Sequence, residues 1–414
     1  MIDYFETKEH PVTRKMVLEA FRKVKANRGS AGVDGQSIEA YELKLQENTY
    51  KLWNRMSAGS YFPSPVKEVE IAKKSGGIRK LGIPTVQDRI AQQVVKAHLE
   101  PKIDSTFHND SYGYRRGKNA HQAIQSAMKR SDRIAWVIDL DIKGFFDNID
   151  HELMMKGVRY YTKEKWVIMY IERWLKAKVR KVNGELNQRD KGTPQGGVIS
   201  ALIANVFLHF VFDRWIDKMY PNIRFERYCD DIIIHCISYK QALFIKGKVE
   251  DRMHECKLEL NESKTKVVYC RNEKHRESYA NVSYDFLGYT IRPRFCPTGN
   301  GLKLLSAACM SRASKKEVND KIRKMSIRKF RGNIQSLAKA INSKIRGWIY
   351  YYCRFHKWTT FDIWRNLNQK LISWVRSNKR IGKRKAISWL NCVYMTQPSL
   401  FAHWQMAPPS KVCR

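Results

Sequence analysis

Apolar and polar positions alternate in short stretches of the chain and recur every three or four residues in others, which predicts a mixture of strands and amphipathic helices. Strand-like alternation occurs at Val66 to Ile71, Ile78 to Ile83 and Trp136 to Ile142. Helical spacing occurs from Gln87 to Leu99 and in the apolar set that begins at Ile199. The pattern therefore predicts an α+β protein.

Helical periodicity dominates beyond Pro297. Two apolar series follow it: Ile334, Leu337, Ala338, Ile341, Ile345, Trp348, Ile349 and Tyr352, then Phe361, Trp364, Leu367, Leu371 and Trp374. Between Leu302 and Asn391 there are 23 Lys and Arg against 3 Asp and Glu. One face of these helices should pack, and the other should bind RNA or a duplex, with an anionic membrane surface as the alternative.

Charge and composition narrow the class of protein further. The chain has 414 residues, a net charge of +37 and 43% hydrophobic residues, which indicates a folded cationic protein with a polyanionic partner. No membrane helix is predicted, because the longest apolar run, near Ala201 to Phe212, is short and contains polar residues. The start of the chain, Met1 to Glu6, is acidic where a secretory signal is basic, so we expect a cytoplasmic protein. Nine cysteines without a C-x-x-C pair indicate neither a zinc site nor a disulfide framework.

Candidate chemistry lies at two acidic segments. Asp230 and Asp231 are adjacent in a predicted tight turn before the apolar stretch Ile232 to Ile234, and Asp139 and Asp141 share one face of the strand that begins at Trp136. An isolated Asp-Asp pair is more often a turn or a helix cap. Clustered carboxylates, however, suit a hard divalent ion such as Mg²⁺, and two such ions serve phosphoryl displacement in polymerases and nucleases.

Three further segments could contact a nucleotide or a nucleic acid. The predicted hairpin tip offers Lys73, Arg79 and Lys80 to a triphosphate, unless these are ordinary solvated turn residues. The loop from Phe107 to Lys118 interleaves aromatic residues with Arg115 and Arg116, which favours stacking on bases about as much as plain packing. The glycines at 192, 196 and 197 allow close backbone approach to a ligand, or simply form the turn before the next helix.

The order of these blocks makes nearly the whole chain resemble a group II intron-encoded reverse transcriptase and maturase of the endonuclease-lacking type. The residues that carry the resemblance are Gly29 to Gly35, Arg79 to Pro84, Asp141 to His151, Gly192 to Ser200, Tyr228-Cys229-Asp230-Asp231 and Phe286-Leu287-Gly288-Tyr289. The resemblance implies a right-hand polymerase with fingers, a palm built on an antiparallel sheet plus helices, and a helical thumb or maturase domain. The implied divisions are an N-terminal extension with fingers helices at 1–65, fingers at 66–130, a palm at 131–295 with a fingers insertion near 155–190 and a primer grip near 284–292, a thumb at 296–395 and a C-terminal tail at 396–414.

The resemblance also implies roles for individual residues. Asp141, Asp230, Asp231 and the backbone carbonyl of Ile142 would hold two Mg²⁺ ions, for which Mn²⁺ could substitute, and Asp139 would be an outer carboxylate. Lys264 would protonate pyrophosphate. The residues implied to bind the nucleotide are Lys73, Arg79, Phe145, Phe146 and Gln195, with Phe146 as a steric gate against ribose. The residues implied to grip the primer are Phe286, Leu287, Gly288 and Tyr289. The residues implied to bind nucleic acid are Arg115, Arg116, Gly196, Gly197 and Tyr228.

The expected function is RNA-directed DNA synthesis from dNTPs on a DNA primer or target, together with binding of structured intron RNA and assistance to its splicing. The sequence departs from the family pattern at Ala72, Ala201 and Cys229, none of which removes a carboxylate. No paired cysteine cluster of an HNH nuclease follows Trp404, and a DNA-binding domain is expected to be short or missing. The alternatives are a standalone enzyme used in DNA repair or phage defence, and a non-catalytic maturase that only folds RNA.

Overall fold

The computed structural model describes residues 11–72, 77–299 and 301–409. The α-helices within these ranges are α1 (Arg14–Asn27), α2 (Ile38–Leu43), α3 (Leu45–Ser57), α4 (Val86–Ile103), α5 (Ala120–Ser131), α6 (Phe145–Asn148), α7 (His151–Tyr161), α8 (Lys165–Leu175), α9 (Ser200–Leu208), α10 (Arg214–Met219), α11 (Tyr239–Glu255), α12 (Arg312–Lys324), α13 (Ile334–Tyr352), α14 (Phe361–Lys379) and α15 (Lys383–Thr396). The strands are β1 (Val66–Ala72), β2 (Ile78–Ile83), β3 (Trp136–Asp141), β4 (Val179–Arg180), β5 (Leu186–Asn187), β6 (Arg224–Tyr228), β7 (Asp231–Cys236), β8 (Lys266–Tyr269), β9 (Tyr284–Phe286), β10 (Tyr289–Thr298) and β11 (Gly301–Met310).

Several helices begin where a short polar side chain accepts a hydrogen bond from the first free backbone N–H groups. Thr13 caps α1, Thr85 caps α4, Asp150 caps α7 and Asn333 caps α13. The apolar stripe then decides which face is buried, as in α13, whose apolar residues at three- and four-residue spacing are the buried ones.

The chain divides into two compact units. The N-terminal unit comprises Met1–Ala123, Leu140–Ile234 and Tyr239–Lys266, and the C-terminal unit comprises Ile124–Asp139, His235–Ser238 and Val267–Arg414. In the N-terminal unit, a sheet of order β2-β1-β4-β5 pairs β1 antiparallel with β2 and parallel with β4. The predicted hairpin is therefore present, although its tip lies outside the described residues.

A second four-stranded sheet has the order β6-β7-β3-β8. It places the end of β3 and the β6–β7 turn, which carry the predicted catalytic carboxylates, within the N-terminal unit. Its central strands are apolar on both faces, since Val137, Ile138, Ile232 and Ile233 are all buried.

The C-terminal unit contains the antiparallel sheet β9-β10-β11 and the helices α12 to α15. The helices share a core that includes Trp364, Leu367 and Leu371. The predicted C-terminal tail is wrong for part of its length, because Phe401 and Trp404 are fully buried in this same core. Burial of these two large aromatic side chains stabilises the fold, whereas an exposed tail would leave them in water.

The α+β class predicted from the sequence is confirmed by this mixture of helices and largely antiparallel sheets. Two further elements differ from expectation. The helix predicted from the apolar set that begins at Ile199 gives way to a π-helical segment, His209–Asp213, before α10. The segment beyond Pro297, where helices were expected, first forms the strand β11. Among the residues that the structure describes, no helix combines the length and apolar character needed to cross a membrane.

Candidate active site

The turn between β6 and β7 carries two of the predicted catalytic carboxylates. Cys229 occupies the left-handed region with φ 60° and is 5% exposed, so the chain reverses around a buried side chain. Asp230 follows in the turn, and Asp231 opens β7. A loop packs directly on this turn, since a Cβ on Gly113 would meet the backbone nitrogen of Cys229 at 2.5 Å.

Asp141 ends β3 and is held by the segment that follows α11. Its backbone oxygen accepts a hydrogen bond from the Asn261 nitrogen at 2.8 Å, and Ile142 forms an isolated antiparallel bridge with Leu260. The Lys264 ammonium lies 3.2 Å from Asp141 Oδ2. The structure therefore joins the predicted lysine and the first predicted carboxylate, which are 123 residues apart in the sequence.

The third member of the cluster is Asp231. Although the Asp231 side chain is exposed, the surrounding protein partly desolvates it, and the charges of Asp230 and Asp141 repel its negative charge. Both effects raise the pKa of Asp231, whereas Lys264 and Arg79 lower it, and the resulting pKa is about 7. Asp141 and the adjacent pair Asp230 and Asp231, from two distant parts of the sequence, thus come together in the folded unit.

The chemistry of this donor set fits a divalent metal. Desolvation raises the pKa of Asp231, and the repulsion by Asp230 and Asp141 that adds to it is what a bound cation would relieve. Within the described ranges, no group of three or more His, Cys, Asp or Glu side chains is arranged closely enough to hold an ion. The Lys264 ammonium is placed against Asp141 and partly compensates the negative charge.

The raised pKa of Asp231 predicts how stability depends on pH in the absence of metal. The folded protein keeps this proton up to about pH 7, whereas the ordinary value is 3.8, so the folded state binds more protons between these values. The free energy of unfolding should then fall as pH rises through that window. In EDTA, we expect the melting temperature of the wild type to decrease more across this window than that of Asp231→Asn. The same pH dependence in both proteins would contradict the assignment.

Of Lys73 and Arg79, the two basic residues that the family resemblance implies for nucleotide binding, the structure describes Arg79. Arg79 lies exposed on β2 and is among the charges that act on Asp231, so it belongs to the same region as the carboxylates. Arg79 also acts on Tyr114, a residue 57% exposed whose ring centroid lies 6.4 Å from that of Tyr228. Lys73 lies outside the described residues.

The predicted gate residue, Phe146, lies on the short helix α6 next to Phe145. Phe145 is 1% exposed and packs its ring 5.2 Å from Phe146 and 6.2 Å from Phe207, so its side chain supports the helix rather than facing solvent. Phe146 is only half-buried. Its backbone oxygen accepts a hydrogen bond from the Thr193 nitrogen at 2.7 Å, which fixes the helix to the glycine-rich segment.

That segment, Gly192 to Gly197, is shaped by close approaches of its backbone. A Cβ on Gly192 would lie 2.6 Å from the Asp147 oxygen, and one on Gly196 would lie 2.6 Å from the Gly82 oxygen. The Gln195 oxygen accepts a hydrogen bond from the Gly82 nitrogen. Gln195 and Gly196 also line a cavity of about 270 Å³ together with the loop that contains Gly29. The sequence indicated these glycines but not which backbone they would meet.

The two arginines of the loop from Phe107 to Lys118 have different roles. The Arg115 guanidinium is 6% exposed, pairs with Asp104 at 3.2 Å and donates to the backbone oxygens of His108 and Ser111. These contacts give Arg115 an internal role, contrary to the prediction that it contacts nucleic acid. Arg116 is 57% exposed and its ion pair with Glu100 is at the surface, so it stays a candidate for that contact.

The predicted primer grip, Phe286 to Tyr289, lies in the C-terminal unit as the turn between β9 and β10. Leu287 and Gly288 both have positive φ, 51° and 80°. The Leu287 oxygen accepts a hydrogen bond from the Tyr351 hydroxyl at 2.8 Å, and the Gly288 oxygen accepts one from the Ser314 hydroxyl at 2.9 Å. Side chains of α12 and α13 therefore hold this turn.

The sequence did not predict which residues hold the catalytic turn, Cys229-Asp230, between β6 and β7. Arg227, two residues before Cys229, is completely buried and pairs with Asp213, 14 residues earlier in the chain. A buried arginine within a basic chain gives no local signal, because its partner is set by tertiary structure. Asp139, predicted as an outer carboxylate, is half-buried within β3.

Comparison with known proteins places this geometry in a family. The model of the family "Reverse transcriptase (RNA-dependent DNA polymerase)" matches residues 71–291, and the model "Group II intron, maturase-specific domain" matches residues 315–389. Protein YkfC of Escherichia coli is 29% identical over 66% of this chain and 79% of its own length. The group II intron-encoded protein LtrA of Lactococcus lactis is 29% identical over 62% of this chain but only 41% of its own length, so the chain spans less than half of that relative.

Among solved structures, a telomerase from Candida albicans aligns with 89% of this chain and 67% of its own at 11% identity and a TM-score of 0.47. The two family models confirm the resemblance drawn from the sequence motifs, and with it the prediction of a reverse transcriptase joined to a maturase domain. The chain belongs to the reverse transcriptase (RNA-dependent DNA polymerase) family and carries a group II intron maturase-specific domain after its polymerase domain.

Proposed function

We propose that this chain extends a DNA primer with dNTPs on an RNA template at the cluster of Asp141, Asp230 and Asp231, with two Mg²⁺ ions as cofactors and Mn²⁺ as a substitute. The observation that carries the proposal is the convergence of Asp230 and Asp141 on Asp231, whose charges add to the effect of desolvation and raise the pKa of Asp231 to about 7. A cluster of like charges opposes folding unless it serves to bind cations.

The residues around the cluster have distinct proposed roles. When bound, two divalent ions supply activation of the primer hydroxyl and stabilisation of the leaving oxygen. Asp141 and Asp230 would hold them, and Asp231 and the Ile142 carbonyl would complete the site. Lys264, whose ammonium lies 3.2 Å from Asp141, would release that carboxylate and give its proton to the departing pyrophosphate. Arg79, Gln195 and the half-buried Phe146 would border the incoming nucleotide.

The proposed RNA partner is a structured intron RNA. The matched maturase-specific domain lies within the strongly basic block from Leu302 to Asn391, and exposed residues of α13 such as Lys339, Lys344 and Arg346 lie opposite its buried apolar stripe. Such a surface binds a polyanion through counterion release, so affinity should fall steeply with salt. Assistance to splicing would follow from this binding.

The test is primer extension. Purified protein receives Mg²⁺, dNTPs and a labelled DNA primer annealed to either an RNA or a DNA template. We expect extension on the RNA template that stops when EDTA is added. Retention of RNA binding without extension in any divalent metal would overturn the polymerase proposal and indicate a maturase that only folds RNA.

The primer-grip turn gives a second prediction. Tyr351→Phe removes the hydroxyl that donates to the Leu287 oxygen and leaves the ring in place. Loss of this hydrogen bond should lower the free energy of unfolding by about 1 kcal/mol, and it should shorten the DNA made per binding event, because a backbone held at positive φ loses its support. The measurement is product length under single-turnover trapping.

A matched control for that prediction is Tyr350→Phe, since Tyr350 is 78% exposed on the same helix. Product lengths equal to wild type in Tyr351→Phe would remove the turn from the proposed primer grip. Shortened products in both variants would mean that the loss is not specific to the Leu287 contact.

A further inference from the structure

The catalytic turn is anchored by an ion pair that has no contact with solvent. The Arg227 and Asp213 side chains are both 0% exposed, and they form a two-point pair, with Arg227 Nε 2.7 Å from Asp213 Oδ1 and Nη2 2.6 Å from Oδ2. Burial works to raise the pKa of Asp213, but Arg227 and His209 lower it overall, so the pair is ionic. Moving two charges out of water is costly, and apolar side chains could fill the same space without this cost.

The remaining donors of the guanidinium show where the pair acts. Arg227 Nη1 donates to Asn205 Oδ1 at 3.0 Å and to the backbone oxygen of Cys229 at 3.2 Å. That oxygen belongs to the peptide unit that leads directly into Asp230. Since Cys229 has a φ of 60°, which L-residues with a Cβ adopt at a cost, an acceptor held from outside helps to fix this conformation.

A second line of contacts ties the facing loop to the same group. Asn205, 1% exposed, donates from Nδ2 to the Gly113 oxygen at 2.7 Å. The backbone of Arg227 exchanges hydrogen bonds with this loop, accepting from the Tyr112 nitrogen at 2.8 Å and donating to the Asp110 oxygen at 2.9 Å. Arg227 therefore joins the π-helical segment, α9 and the β6–β7 turn through its guanidinium, and the loop through its backbone.

We propose that Arg227, held by Asp213 and Asn205, is a positioning residue that orients the Asp230 carboxylate through the Cys229 carbonyl. The inference rests on the proposed function, on its metal site for the effect on metal binding and on its polymerase activity for the effect on DNA synthesis. A planar fork suits this site, because the four hydrogen bonds of Arg227 start from three separate nitrogens, whereas a lysine ammonium has three donors on one nitrogen. Arg227 itself touches neither metal nor substrate in this scheme.

The experiment compares Arg227→Lys and Asn205→Ala with wild type by two readouts on the full chain. Mn²⁺ binding to the metal-free protein is followed by EPR, and single-turnover primer extension is measured across Mg²⁺ concentrations. We expect Arg227→Lys to weaken Mn²⁺ binding and raise the half-saturating Mg²⁺ concentration by about tenfold, in the range found when outer residues of metal sites are replaced. Asn205→Ala should weaken Mn²⁺ binding and raise the half-saturating Mg²⁺ concentration by a smaller factor. Primer–template affinity should stay at the wild-type value in both variants.

The matched control is Tyr61→Phe, which removes a buried hydroxyl bonded to Asp88 in the same unit but outside this network. It should lower the melting temperature without changing metal dependence. If Arg227→Lys does not fold, Asn205→Ala decides the question. Metal binding and half-saturating Mg²⁺ that match the wild type in the folded variants would overturn the inference, since the ion pair would then serve stability alone.

The two proposals fail separately. A wild type that extends primers while the variants keep wild-type metal dependence would remove the positioning role and leave the polymerase intact. A wild type that binds Mn²⁺ and loses that binding in Arg227→Lys, yet extends no primer, would leave the positioning role and remove the polymerase.

Discussion

Asp230→Ala is expected to abolish primer extension while leaving RNA binding unchanged. Asp230 lies in the β6–β7 turn, and its charge acts on Asp231. Loss of a carboxylate that is proposed to hold the metal would remove stabilisation of charge in the transition state, and the single-turnover rate should decrease by at least about a thousandfold. Binding of the template depends on other, cationic surfaces and should not change. The measurement is extension rate at saturating dNTP beside the Kd for RNA.

The matched control for this variant is Asp251→Ala. Asp251 is a carboxylate on α11 in the same unit, 65% exposed and paired with Lys248 at the surface. It should extend primers at the wild-type rate, because surface pairs of this kind contribute little. Equal activity in Asp230→Ala and wild type would remove the carboxylate cluster from catalysis. Loss of RNA binding together with extension would point to misfolding of the turn.

Asp230→Ala should also remove one of the two like charges that act on Asp231. The pKa of Asp231 should then fall toward its ordinary value, and the fall in stability with rising pH described above should become smaller. The two readouts are independent, since one needs metal and substrate and the other needs neither. Agreement between them would tie the proposed chemistry to the observed electrostatics.

The turn and the strands of the site were predictable because their signals are local. Two acidic residues before an apolar run indicate a turn entering a strand, and alternation from Trp136 to Ile142 indicates β3, which ends at Asp141. The helices α13 and α14 of the C-terminal unit were also predictable from their apolar spacing. α13 has the bounds that the first series indicated, and α14 begins at Phe361 as the second series indicated but continues past Trp374 to Lys379. In these segments the short-range pattern and the tertiary structure agree.

The missed features all depend on contacts between segments that are distant in sequence. Arg115 carries the same local signal as Arg116, and only the position of Asp104 decides that one is internal and the other exposed. Phe401 and Trp404 follow no periodic pattern, so their burial in the helical core was not visible beforehand. The π-helical segment ending at Asp213 brings that carboxylate to Arg227, and no rule of spacing gives this.

Phe146→Val is expected to let the enzyme incorporate ribonucleotides. Phe146 is half-buried on α6, with its ring against that of Phe145 and its backbone fixed by Thr193. The ring is therefore held in place, and a fixed ring can exclude a 2′-hydroxyl by steric clash, whereas valine leaves room for it. Discrimination by a few atoms of a pocket amounts to roughly 10- to 200-fold, so the ratio of kcat/KM for dNTP over rNTP should decrease by about that factor, while kcat for dNTP changes little.

The control for the gate is Phe244→Val, a replacement of the same size at a phenylalanine that is 54% exposed on α11. It should leave sugar discrimination at the wild-type value. An unchanged dNTP to rNTP ratio in Phe146→Val, with the protein folded and active, would assign Phe146 to packing of α6 alone. A reduced ratio in Phe146→Val only would assign the choice of sugar to this ring, because the two variants lose the same atoms and differ only in where the ring stands.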